Sequence, residues 1–308
     1  MKGVIIRSTG SWYSVRSEGD VFECRIRGKF RLTDIKTTNP LAVGDVVHFE
    51  FDEKDQTGVI NKIEERQNYI IRKSINLSKQ AHIIAANIDT AFLLATLADP
   101  ETNIIFIDRF LVSAQAYKIP TIIVFNKYDL YSESQIAYMH ELFSLYEKIG
   151  YPCIAVSAAT GYNLEALKQL MHQKVSVFSG NSGVGKSTLI NALEPGLNLK
   201  TGIISDAHSK GKHTTTFAEM HQLSFGAEII DTPGIKGLGV VDMEEVNISI
   251  YFPEMLKTLS DCKYYNCTHT HEPTCAVKSQ VESGLIAPSR YASYLSILDD
   301  SDETKYRQ

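Results

Sequence analysis

The chain of 308 residues has one tryptophan, five cysteines and no long apolar run, and each scarcity excludes something. Ala91-Phe-Leu-Leu-Ala95 is among its longest apolar stretches, far short of the roughly 20 residues that cross a bilayer. Met1-Lys-Gly-Val-Ile-Ile-Arg7 lacks the extended apolar core of a secretory leader, so the sequence reads as cytoplasmic. The cysteine count is odd, and three of the five crowd together late in the chain. That distribution points away from a disulfide framework and towards a metal site in a reducing compartment. Positive charge is not in excess. Lys and Arg number 31 against 36 Asp and Glu, a net −5, so bulk basicity is not a means of holding nucleic acid. There is no internal repeat or low-complexity tract, and nothing points to an obligate oligomer; we expect a monomer with room for two or three domains.

Residues 1–70 are strand-like, rich in β-branched and aromatic residues, with turn signals at Ser17-Glu-Gly-Asp20 and Thr38-Asn-Pro40. Residues 43–49 read as a turn entering a strand, and 57–63 as the next strand. Several short strands in so few residues suggest a small barrel, and an OB-fold is the expectation. Arg25, Arg27, Lys29 and Arg31 alternate with Ile26, Gly28, Phe30 and Leu32, so period two puts the four cations on one face. That face is either a surface for RNA phosphates or a merely solvated outer wall. Glu23 and Asp34 flank it.

Residues 64–72 read as a connection. Residues 71–240 then alternate strands with helices: strands at 87–94, 121–125, 153–156, 175–178 and 228–230, helices at 104–118, 133–148, 163–172 and 188–193. This order predicts a parallel sheet covered on both faces. Residues 241–308 look mostly helical around a Cys/His cluster. Asp299-Asp-Ser-Asp-Glu303 reads as a solvated tail.

Gly180-Asn181-Ser182-Gly183-Val184-Gly185-Lys186-Ser187, followed by Thr188, fits G-x-x-x-x-G-K-[ST] between a strand and a helix, the context of a phosphate-binding loop. The glycines let backbone N–H groups turn inward, and the helix start adds partial positive charge. Lys186 can reach the β- and γ-phosphates, and the Ser187 hydroxyl can ligate Mg²⁺. Asn126-Lys127-Tyr128-Asp129 follows the strand at 121–125. The pattern resembles the guanine-reading N-K-x-D of GTPases. Asp129 can accept from guanine N1–H and the exocyclic amine, a donor pair that adenine lacks. Ser157-Ala158-Ala159 resembles the S-A-[KL] element that backs the base. Asp231-Thr-Pro-Gly234 matches D-x-x-G, in which the carboxylate holds Mg²⁺ through water and the glycine amide senses the γ-phosphate.

Gly211-Lys-His-Thr-Thr-Thr216 lies where a switch threonine would ligate Mg²⁺. Spacing favours Thr215, with Thr214 the alternative. Ile235 stands where Ras-like enzymes carry a water-positioning glutamine, and an isoleucine cannot orient water. His213 is the candidate substitute; a solvated loop histidine is the other reading. The guanine motifs precede the phosphate loop, the reverse of the standard order, so the domain is circularly permuted.

Cys262, Cys267, His269 and Cys275 supply three thiolates and an imidazole within fourteen residues, a donor set suited to one structural Zn²⁺. His271 ranks below His269 as a ligand. Cys24 and Cys153 lie far off and read as core fillers.

A small barrel, a permuted guanine-binding domain and a following Cys₃His segment together resemble the ribosome small-subunit-dependent GTPase A family (RsgA, also called YjeQ) over nearly the whole chain. The most specific pieces are the motif order, residues 211–216, and Cys262…Asn266-Cys267-Thr-His269…Glu272-Pro273…Cys275. The family usually has arginine where Lys212 stands and glycine where Thr274 stands. The resemblance implies an OB-fold contacting RNA and an assembly factor on the small ribosomal subunit and its rRNA. It also implies GTP hydrolysis that the particle stimulates and that drives release. A guanine-nucleotide-sensing RNA scaffold with incidental hydrolysis is the alternative, kept open by Ile235. An ATPase is disfavoured by Asp129.

Overall fold

Five strands close on themselves at the amino-terminal end. The computed structural model describes residues 1–26, 40–73, 81–197, 218–231 and 248–305, with backbone alone at 72–73, 81–82 and 300–305. Strands β1 (Lys2–Ser8), β2 (Tyr13–Ser17) and β3 (Asp20–Ile26) form an antiparallel meander. Strands β4 (Val46–Asp52) and β5 (Thr57–Ile63) complete the ring: β5 lies parallel to β3 and antiparallel to β4, and β4 returns to β1. This is the expected OB-like barrel. Alternate residues fill it, with Ile5, Val15, Cys24, Val47, Phe49 and Ile60 buried together. The predicted turn at 17–20 forms through the positive φ of Glu18 and Gly19.

Residues 64–72 do more than connect. Strand β6 (Tyr69–Lys73) pairs with β7 (Ala81–Ala86) in a hairpin tied to the barrel by a bridge between Val43 and Ala85. The polar start of that stretch masks the β-branched pair Ile70-Ile71, which finds its partner strand beyond the segment itself.

The central unit follows the predicted alternation: β8 (Thr90–Ala95), α1 (Ile104–Ala116), β9 (Thr121–Phe125), α2 (Glu133–Ile149), β10 (Cys153–Ala155), α3 (Leu164–Met171), β11 (Val175–Gly180), α4 (Lys186–Leu193), β12 (Glu219–Gln222) and β13 (Glu228–Asp231). The strand order is β10-β9-β8-β11-β13-β12, parallel throughout except for β12 against β13. Side-chain alternation splits the core into two layers. Ala91, Leu93, Ile123 and Phe125 pack with α1 and α2, while Phe92, Leu94, Val124 and Phe178 pack with α3 and α4. Helix α2 starts sharply because Ser132 and Gln135 cap each other and stops at Gly150 with φ +119°.

Strand β12, absent from the sequence reading, joins the two units. Its Glu219 pairs with Arg7 of β1, so barrel and central sheet form one continuous 11-stranded sheet. Arg16 of the barrel also forms an ion pair with Glu228 of β13.

The carboxy-terminal segment carries α5 (Pro253–Leu256), α6 (Ala276–Glu282) and α7 (Pro288–Lys305). Its core includes Val112 of α1 beside Phe252, Met255, Tyr294 and Ile297. At the junction sits Arg290, wholly buried. It donates to Asp108 of α1 and to Glu254, each at 2.6 Å, and stacks over Phe252 at 4.6 Å. Tyr146 of α2 donates to the same Asp108 oxygen at 2.9 Å. Burial works against the guanidinium charge, but the two carboxylates more than offset it and raise the Arg290 pKa. Removing one partner of such a cluster strands an uncompensated charge. Arg290→Ala should therefore cost about 3–5 kcal/mol of stability, read by urea or thermal denaturation. A loss under about 1 kcal/mol would contradict that account.

Candidate functional site

The guanine- and phosphate-motif loops leave the sheet along its carboxyl edge. Gly180 of β11 sits beside Leu94 of β8, Leu94 beside Val124 of β9, and Val124 beside Ile154 of β10. On the other side Val177 sits beside Ile230, which puts Asp231 at the same edge. Ligands of open α/β sheets bind at that edge.

The loop after β11 turns on glycines. Gly183 and Gly185 have φ of +87° and +88°, and Gly185 caps α4. A Cβ at Gly185 would lie 2.6 Å from Asn126 Nδ2, so glycine is needed for close approach as well as for the turn. The first bond within α4 runs from Leu189 N–H to Gly185 O at 2.8 Å. The amides of Lys186, Ser187 and Thr188 therefore belong to the open first turn, where an anion is favoured. Val184 is buried under the loop, whereas Asn181 and Ser182 lie at its rim.

Asn126 fastens three of these loops together. It is almost wholly buried. Its Nδ2 donates to Val184 O at 2.9 Å in the phosphate loop. Its Oδ1 accepts from Ala158 N at 3.4 Å in the loop after β10. Its own amide donates to Ala95 O at 2.9 Å, at the end of β8. Both amide ends are thus used inside the protein, and the residue acts as a brace. Lys127 takes a left-handed backbone, φ +61°, and its Nζ donates to Asp99 O in the loop after β8. Asp129 is exposed, and one of its oxygens accepts from the Ser157 hydroxyl. The Tyr128 amide donates to Val156 O at 3.1 Å. Tyr131, one turn on, donates to Asn126 O at 2.7 Å and accepts from Leu97 N at 3.1 Å. Burial, with Asp129 nearby, pushes its hydroxyl up to about 12, so it stays a neutral donor.

The second site lies in the carboxy-terminal segment. Donor atoms of Cys262, Cys267, His269 and Cys275 fall within 4.8 Å of one another. His269 Nδ1 lies 3.6 Å from Cys262 Sγ and 3.4 Å from Cys275 Sγ. Tetrahedral Zn²⁺ with ordinary Zn–S and Zn–N lengths requires about 3.6 Å between such atoms. Burial lowers the imidazole's pKa, which favours the neutral form that a ligand takes. Burial first, and then the neighbouring Cys275 thiol, push Cys267 up to about 12 without a cation, so metal binding must expel its proton. Glu272 orders the ligand loop by accepting from Thr268 N at 2.6 Å and Thr270 N at 3.0 Å. Partial burial opposes its charge, yet the Thr268 hydroxyl, donating at 2.7 Å, and these amides hold the carboxyl down to about 2. Thr274 adopts φ +57°, the backbone that glycine takes without strain. Tyr291 and Tyr294 of α7 donate to the carbonyls of His269 and Thr268, each at 2.6 Å. The four residues fit a structural zinc site.

Residues 63–241 match the family model described as RsgA GTPase, and residues 2–60 match that of the RsgA N-terminal domain. The chain belongs to the RsgA GTPase family. It is 57% identical over 307 residues to a Flavobacterium psychrophilum protein named small ribosomal subunit biogenesis GTPase RsgA, covering 99% of this chain and 94% of the relative. A Bacteroides thetaiotaomicron protein named small ribosomal subunit biogenesis GTPase RsgA 2 is 56% identical, covering 100% and 99%. Among solved structures, YjeQ from Thermotoga maritima superposes with a TM-score of 0.78 at 35% identity, covering 97% of this chain and 98% of that one. YloQ, described as a circularly permuted GTPase, also gives 0.78, at 31% identity, covering 100% and 96%. The RsgA family is one of GTP hydrolases using Mg²⁺ with the nucleotide, and the permutation read from the motif order agrees with the description of YloQ as circularly permuted.

Within this RsgA framework, Asn126, Lys127, Asp129, Ser157, Ala158 and the loop from Gly180 to Thr188 come together, with Asp231 at the same edge. His213, Thr215, Gly234, Arg27, Lys29 and Arg31 lie outside the described residues, as does Ile235. Arg25 is described: it is exposed on the outer face of β3 and stacks over Trp12 at 4.6 Å. Sequence reasoning missed the loop at 97–102, which reaches the phosphate loop where Pro100 would meet a Cβ on Gly183 at 3.2 Å. No motif marks it. It also missed Arg290, although a signal was there: the arginine sits on the apolar stripe of α7 with Tyr294 and Ile297.

Two outcomes follow. Asn126→Ala should unlock the three loops, weakening a fluorescent GDP analogue at least about tenfold and costing about 1–3 kcal/mol of stability. Unchanged GDP affinity would remove the brace from the site. Stripping zinc with a chelator, or Cys267→Ser, should expose the carboxy-terminal segment to protease while metal analysis falls from one zinc per chain to none. An unaltered digestion pattern in the stripped protein would count against a folding role for the metal.

Proposed function

We propose that this GTPase acts in late assembly of the small ribosomal subunit in the cytoplasm, as a monomer that binds the immature particle and its rRNA and leaves on hydrolysis. The observation that carries the nucleotide half is the Asn126 brace, which gathers guanine-reading and phosphate-binding loops at one sheet edge. The ribosomal half is supported by the relatives' names and by an OB-like barrel built into the same sheet. No helix among the described residues is long and apolar enough to cross a membrane.

The working division is 1–70 for the barrel, 71–240 for the permuted GTPase unit and 241–308 for the zinc unit. Family matches over 2–60 and 63–241 support a first break close after β5, a few residues before 70, and a second near 241.

At the site, Asp129 accepts from the guanine edge, with Ser157 holding its other face. Lys127 and Tyr128 shape the base pocket. The amides of the 180–188 loop and Lys186 cradle the β- and γ-phosphates. Ser187, Asp231 through water and, in the GTP state, Thr215 would hold Mg²⁺, which would supply neutralisation of the phosphate charge. Gly234 senses the γ-phosphate and His213 orients the attacking water. Arg25, Arg27, Lys29 and Arg31 contact RNA phosphates.

The reading is tested by GTP turnover with and without small subunits, in the parent chain and in His213→Ala. Stimulation above about tenfold supports the factor. Less than that favours the guanine-sensing scaffold, the reading that Ile235 keeps open. Loss of turnover in His213→Ala at unchanged GTP affinity supports its role; equal turnover removes it.

A further inference from the structure

The loop after β10 ends on Tyr162, an aromatic residue that is 45% exposed and belongs to none of the nucleotide motifs. Its ring lies parallel to that of Tyr128, with centroids 4.8 Å apart and planes 15° apart. Tyr128 in turn meets Tyr131 edge-on at 6.1 Å. A short aromatic ladder therefore runs from the 157–162 loop across to the 126–131 loop. Apolar burial does not account for Tyr162, since so much of it faces solvent. Its backbone is nevertheless fixed. The Ser157 amide donates to Tyr162 O at 3.1 Å, and the next side chain, Asn163, donates to Ala155 O at 2.9 Å.

The ladder bears on one bond in particular. Asp129 is exposed, and the Ser157 hydroxyl that donates to it comes from the opposite loop. The direction of the Asp129 carboxylate thus depends on how closely the two loops are held. The Asn126 brace and the bond from Tyr128 N to Val156 O fix them at their roots. The Tyr128–Tyr162 stack fixes them at their outer ends, beside the carboxylate's own residue. An offset aromatic pair strengthens such a junction without needing burial.

We propose that Tyr162 is a positioning residue for base recognition: by stacking on Tyr128 it locks the two loops so that Asp129 is held ready for a purine carrying both an N1–H and a 2-amino group. The inference rests on the guanine-nucleotide reading of this site. The experiment compares GDP, IDP and ADP binding to the full-length parent chain, Tyr162→Ala and Tyr162→Phe. Hypoxanthine keeps the N1–H and lacks the amine, so the GDP-to-IDP ratio reports carboxylate alignment separately from general affinity. In Tyr162→Ala, GDP should weaken about fivefold while IDP weakens less, so the ratio contracts. Tyr162→Phe should restore both, and kcat at saturating GTP should stay within about twofold of the parent. GDP affinity unchanged in Tyr162→Ala, or GDP and IDP weakened equally, would overturn the inference. ADP binding to the parent as tightly as GDP would instead overturn the guanine reading, an outcome separable from the first.

Discussion

The carboxy-terminal segment is held to the GTPase unit by a charge that has no water to lean on. Arg290 is buried between Asp108 and Glu254, and its desolvation is tolerable only because both carboxylates and the Phe252 ring are already in place. Asp108 comes from α1, Tyr146 on α2 donates to the same oxygen, and Arg290 itself comes from α7. Asp108 of α1, Glu254 of α5 and Arg290 of α7 must arrive together or the charge is stranded. The residue after Arg290 and the one a turn further on also serve the metal site: Tyr291 and Tyr294 donate to carbonyls in the Cys/His loop. The same face of α7 therefore touches the GTPase core and the zinc loop.

The nucleotide edge uses a neutral version of the same device. A buried carboxamide cannot be left unsatisfied at low cost, so Asn126 fixes whatever supplies its partners. Those partners are the Val184 carbonyl and the Ala158 amide. The four residues of N-K-x-D divide their work accordingly. Asn126 faces inward and organises, Lys127 crosses to the Asp99 carbonyl, and Asp129 faces outward where a base would lie. Position within the motif, rather than residue type alone, separates architecture from recognition.

Much of this was legible in the sequence. Strand 121–125 was read directly, because buried parallel strands are continuous apolar runs, and the helix read at 133–148 matches α2 to within a residue. The Cys₃His spacing specified its cluster, since only a few donor sets occur that densely. Three things were harder to read. Strand β12 is short and carries Glu219, His221 and Gln222, so its pairing with β1 comes from tertiary context rather than from pattern. Ile70 and Ile71 needed the partner strand β7, which begins at Ala81. Tyr162 follows an unremarkable Thr160-Gly161, and only the folded geometry brings it onto Tyr128. Arg290 and Asp108, which the sequence reading passed over, sit as charges on apolar helical stripes, a pattern that asks for a buried partner without saying which.

Permutation also sets the order in which the protein can be completed as it is synthesised. The barrel needs only residues up to Ile63 to close, so it can form while most of the chain is still unmade. The guanine loop is made next but cannot be finished, because the carbonyl that Asn126 requires belongs to Val184, 58 residues later. Strand β1 waits longer still for Glu219 of β12. A nascent chain therefore carries the Asp129 carboxylate well before it has the frame that positions its loop. Recognition of nucleotide becomes a property of the nearly finished polypeptide, and a truncated product stops short of it.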